Sequence, residues 1–167
     1  MGGATVAAVR AQKPVRPAAR VLRVGFACGY YTKENVASWA HEEIANEDAP
    51  RIEIIELCLV KHKGEHELSM LLESIGGPLD SSGDAELRIA FIGRMHARGR
   101  IELGAAVSML YALACEDALS REAEGLIRQI DAGYDLALDG AHGTVDQVAR
   151  DLGAFAAPYE DLLPAEE

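Results

Sequence analysis

An all-α fold is what this 167-residue sequence predicts, an irregular bundle of seven or eight helices around a central apolar helix. Three observations carry the expectation. From Thr32 to the C-terminus, apolar residues return at i, i+3, i+4 and i+7, the repeat of a helix with one inward face. Cap residues and Gly or Pro stops punctuate these runs at helix-like intervals. Apolar residues make up 49% of the chain, enough for a core at this length without disulfide or metal staples.

The elements follow in order. Residues 1–17 are expected to form a flexible basic arm, with Pro14 and Pro17 breaking any helix before about Ala18, and 18–167 a single helical domain. Residues 18–29 alternate like a strand at Leu22, Val24, Phe26 and Cys28. A lone strand would have no partner, however, so a short helix closed by Gly29 is expected. Thr32 is the N-cap of the next helix, whose inner face holds Val36, Trp39, Ala40 and Ile44. Pro50 suits a first turn, and Ile52, Ile55 and Leu59 read as the inner stripe behind it. The run Ile52-Glu53-Ile54-Ile55 also fits a strand; helix is the reading adopted.

Leu68, Leu71, Leu72 and Ile75 define another helix, stopped by Gly76-Gly77-Pro78. Residues 79–84 have loop composition, and a helix from about Ala85 to Arg98 is expected to end at Gly99 as C′. Residues 102–118 are apolar on nearly every side and read as the central helix. Ala123, Leu126, Ile127, Ile130, Tyr134, Ala137 and Leu138 keep helical phase up to a turn at Gly140 and Gly143. Thr144 and Gln147 have capping-box spacing, ahead of a last stripe of Val145, Val148, Leu152, Phe155 and Tyr159.

Charge narrows the function classes. Residues 1–24 contain five bases and no acid; all 27 acids lie in 25–167 against 11 Lys and Arg, a net charge of about −16. Such a field repels nucleic acid and anionic membranes and steers basic partners inward. No apolar stretch approaches the roughly 18 residues of a membrane span, and no apolar signal core follows the basic start. Cys28, Cys58 and Cys115 are odd in number and widely spaced, which fits buried thiols in a reducing cytoplasm.

Motifs for chemistry are missing. The chain has no phosphate-binding glycine loop, no Gly-x-Ser-x-Gly elbow and no His-Glu-x-x-His helix. No histidine has a Glu three residues before it, as paired di-iron helices require. His62 and His66 have i, i+4 spacing, but Gly64 between them makes an exposed polar turn the simpler reading. No catalytic residue, cofactor or metal is therefore assigned. Carboxylates are what remains. Glu53 with Glu56, and Asp131 with Asp135, share a helix face and can catch a partner's Lys or Arg. Glu42 and Glu43, beside Trp39, are expected to face water and join them as candidate partner-binding residues; Tyr134 reads as core.

The stretch from Tyr31 to Ile44, holding Thr32, Glu34, Val36, Trp39, Ala40 and Ile44, together with Ile54-Ile55-Glu56-Leu57-Cys58-Leu59, resembles small all-helical bacterial proteins. Ile130-Asp131-Ala132-Gly133-Tyr134-Asp135-Leu136-Ala137 resembles the same group. The group is uncharacterised or similar to toxin-immunity proteins, and the likeness covers about a third of the chain. His41 departs from it, standing where an acid is expected, and so does the basic arm. It implies an acidic, cytoplasmic protein-binding module, an antidote that masks a basic toxin. Two other classes compete: a structural subunit of a homo-oligomer, and a small metal-binding helical enzyme.

Overall fold

The fold comes from a computed structural model that describes residues 15–165. These form eight α-helices and two short 3-10 turns, with no strand among the described residues. The helices are α1 (Val15–Ala27), α2 (Lys33–Asn46), α3 (Ile52–Leu57), α4 (Glu65–Gly76), α5 (Ser81–Ala97), α6 (Leu103–Ala114), α7 (Arg121–Leu138) and α8 (Val145–Ala156). The all-helical prediction holds. Two compact units emerge, one of the described residues up to Leu79 with 163–165, the other Asp80–Leu162.

In the first unit α1 packs chiefly on α4, and α3 packs on α2 and α4. Residues 18–27 are helical rather than extended, with 28–29 the turn that follows, and α1 begins three residues before Ala18. Pro17 is no obstacle there, because the N–H it lacks belongs to the first turn, where no intrahelical acceptor exists. The rest of the expected arm, residues 1–14, lies outside the described residues. Gly29, at φ +75°, ends α1 as a Schellman cap: its own N–H donates to Phe26 and the Tyr30 N–H to Gly25. Close packing of α1 on α4 depends on Gly76, where a Cβ would meet the Arg20 Cγ at 2.9 Å. The Arg20 Nε donates to the Gly76 carbonyl at 2.7 Å, satisfying a group the end of α4 leaves unpaired.

Thr32 caps α2 as predicted, in a reciprocal box with Asn35. Trp39 on that helix is fully buried, with an indole N–H that finds no acceptor among the described residues. The start of α3 departs from expectation, since its N-cap is Arg51 and Pro50 stays outside the helix. The phase departs further. Ile54, Leu57 and Val60 are the buried residues, whereas Ile52, Ile55 and Leu59 are 64%, 40% and 58% exposed. Two apolar faces compete on this short helix, and packing selected the other one.

The second unit joins α5 to α6 and α8, and α7 to α6 and α8. Residues 81–84, expected as loop, are the first turn of α5, because the Asp80 carboxylate accepts from the Gly83 N–H at 2.7 Å and starts the helix early. Gly99 closes α5 at φ +64°, as predicted. The run at 102–118 supplies α6, which buries Leu103, Ala106, Val107, Leu110, Leu113 and Ala114. Its Ala105, Ser108, Tyr111 and Ala112 lie at the surface, so α6 is more one-sided than its composition suggests. Thr144 caps α8, but the expected box is only half formed, since the Gln147 Oε1 accepts from the Arg150 Nη2 at 2.8 Å rather than from the Thr144 N–H. No helix among the described residues is long and apolar enough to cross a membrane.

Candidate functional site, a groove between α7 and α8

A concavity of the second unit runs along the α7–α8 pair. Leu126, Gln129, Ile130 and Gly133 of α7 face Val148, Asp151, Ala154 and Phe155 of α8 around a cavity of about 500 Å³. A shallower hollow of about 240 Å³ adjoins it, sharing Leu126, Ala154 and Phe155 and adding Glu122 and Tyr159. Together they make an open groove with an apolar floor. Leu126 remains 43% exposed on it, and the Phe155 ring leans on Tyr159 with centroids 5.8 Å apart.

The sequence builds this groove by over-supplying α7 with apolar residues. Ala123, Ile127 and Ile130 suffice for the buried seam, so Leu126 and Leu138, expected inside, come to the surface. Val145, expected on the inner stripe of α8, is also 41% exposed. Tyr134 is only half-buried, and a Cβ at Gly104 would stand 2.7 Å from its hydroxyl oxygen. No base lines either hollow; their charged residues are Glu122 and Asp151. The unit as a whole carries 15 Asp and Glu against 7 Lys and Arg. Burial pushes the Tyr159 hydroxyl above its ordinary pKa, and the Glu86 and Glu122 carboxylates push the same way.

The six acids singled out in the sequence divide among different settings. Glu43 is buried at 4% exposure, which corrects the expectation that it faces water: α2 turns it inward beside Ala40 and Trp39, while Glu42 stays half-buried. Glu53 and Glu56 already hold cations, Glu53 with Arg51 at 3.8 Å and Glu56 with Lys63 at 3.6 Å. Lys63 also donates to Glu67 and is held above the usual lysine range, first by that hydrogen bond. Asp131 is half-buried and Asp135 exposed. At about 100° per residue, both fall on roughly the far side of α7 from Leu126, Gln129 and Gly133, away from the groove.

Other expectations resolve plainly. His62 ends the 3-10 turn Val60–His62 and His66 lies in α4, both exposed. No group of three His, Cys, Asp or Glu among the described residues could hold a metal ion. The thiols are less buried than predicted, with Cys28 and Cys58 intermediate and Cys115 exposed. Cys115 follows the last turn of α6 as its C-cap, where the chain turns to the surface. No family model matches the chain, and neither does a curated protein or a solved structure.

Proposed function

We propose that this chain is an acidic helical binding module that docks a basic protein, in the manner of an antidote covering a basic toxin. The observation that carries the reading is the α7–α8 groove, an apolar floor whose charged residues are Glu122 and Asp151, within a unit of strong negative charge. Apolar anchors supply most of the affinity at such a surface, and opposite charge speeds encounter and sets orientation. Asp131 and Asp135 add to the attracting field from another face, whereas Glu53 and Glu56 are already engaged by Arg51 and Lys63. The test is capture from a lysate of the source cells with the wild-type chain and the double variant Glu122→Lys, Asp151→Lys. A basic protein retained by the wild type, released by salt and lost by the variant is the expected result; retention indifferent to both contradicts the reading.

A homo-oligomeric structural role is the second reading, favoured by the exposed Ile52, Ile55 and Leu59 stripe. Mass by light scattering tests it: a stable oligomer dissociated by Ile55→Glu supports it, and a monomer at all concentrations rejects it.

A further inference from the structure

A glycine inside a helix costs roughly 1 kcal/mol relative to alanine, and α7 carries one at Gly133. Three other helix glycines, Gly76, Gly93 and Gly104, serve close packing. A Cβ at Gly93 would stand 2.4 Å from the Ala156 Cβ, and those at Gly104 and Gly76 would meet neighbours at 2.7 and 2.9 Å. Gly133 has no such reason: the nearest atom to a Cβ there is the Val148 Cγ2, at 3.9 Å. What its missing side chain does is lower the floor of the groove. Gly125 and Gly153 also have open space around them but do not line it.

We infer that the groove receives a basic amphipathic α-helix of the partner, crossing α7 at Gly133; this rests on the binding-module reading above. Three features select that occupant. Strand addition by an extended peptide needs a sheet edge, and no strand exists among the described residues to offer one. A helix satisfies its own backbone, and a third helix lodged between two others packs most closely where one of them has glycine. The charged lining, Glu122 and Asp151, fits a cationic helix, with Leu126 and Phe155 meeting its apolar face.

The probe is a synthetic Leu/Lys peptide of about four turns, with Leu at i, i+3, i+4 and i+7. Its controls are a same-composition scramble without helical periodicity and a Leu/Glu analogue, all titrated against the full chain. The periodic basic peptide is expected to bind, and Gly133→Leu to weaken it about tenfold or more without unfolding the chain. Gly133→Ala is expected to raise the unfolding midpoint while weakening binding, whereas Gly125→Ala raises the midpoint and leaves binding unchanged. Unchanged affinity in both Gly133 variants overturns the inference. Equal binding of the scramble overturns the helix and leaves the basic-partner reading standing. If no peptide binds, the helical occupant is rejected, and the lysate capture decides the underlying reading separately. A dimer of this chain dissociated by Gly133→Leu would assign the groove to a second copy instead.

Discussion

Arg94 of α5 and Glu160 of the turn Ala157–Leu162 meet through two nitrogens: the Arg94 Nε donates to the Glu160 Oε1 at 2.7 Å, and Nη2 lies 2.5 Å from the same oxygen. The guanidinium side chain is only 5% exposed and the carboxylate 48%. A buried cation thereby pins the end of the second unit to α5. Glu160→Ala is expected to lower stability by about 1–3 kcal/mol, moderated by the carboxylate's exposure, because it weakens the compensation of a buried charge. Arg94→Met, which removes the buried charge itself, should cost less than Glu160→Ala. Denaturant midpoints of both variants check the order, and a larger loss in Arg94→Met contradicts it.

Among the described glycines of the second unit, Gly93 leaves the least room for a side chain. A Cβ there would overlap the Ala156 Cβ at 2.4 Å, so α5 and α8 must separate to accept any side chain. Gly93→Ala is expected to destabilise by about 1–3 kcal/mol despite its better helix propensity. Urea unfolding reads the effect; a stabilised variant would mean that the two helices separate at little cost.

Much of this fold was legible because its signals are local. Thr32, Gly29, Gly99 and Thr144 act through hydrogen bonds within a few residues, and each stands at the helix end expected of it. The misreadings arose where packing chooses between two candidate faces. Over α3 and the turn after it both Ile52-Ile55-Leu59 and Ile54-Leu57-Val60 are apolar, and periodicity alone does not say which one packing will cover. The groove was illegible for the related reason that Leu126 looks like core until the rest of α7 has filled the seam. Its one sequence signal was Gly133, a helix glycine with no nearby stop. Acid abundance, by contrast, drew attention to Glu53 and Glu56, whose cation partners are set by the fold.

Thiol reactivity should follow exposure. Cys115 is exposed, whereas burial raises the Cys58 pKa from 9.0 and its Sγ–H points to the Ile54 carbonyl oxygen at 3.7 Å. At neutral pH Cys115 is expected to react first with a disulfide reagent and Cys58 slowly, since the thiolate is the nucleophile. Mass mapping of the labelled peptides checks the order; faster labelling of Cys58 contradicts it.

Alkali should weaken the fold. The Tyr159 pKa is raised above 10.0, chiefly by desolvation, so the unfolded chain loses that proton first and stability falls as pH climbs past 10. The Lys63 pKa is raised above 10.5, chiefly by its hydrogen bond to Glu67; that contribution is complete below 10.5 and disappears as pH rises through the folded value. Both act in the same direction. The urea midpoint of the wild type is expected to drop above pH 10, and that of Tyr159→Phe to drop less. Equal slopes would show that Tyr159 is not desolvated.

The most direct measurement is capture of a partner from source-cell lysate on three baits: the wild-type chain, Glu122→Lys with Asp151→Lys, and Gly133→Leu. Mass spectrometry is run at low and at high salt. A basic protein held by the wild type at low salt, released at high salt and absent from both variants is the predicted result. The same protein held equally by all three baits, at either salt, would contradict docking in the α7–α8 groove.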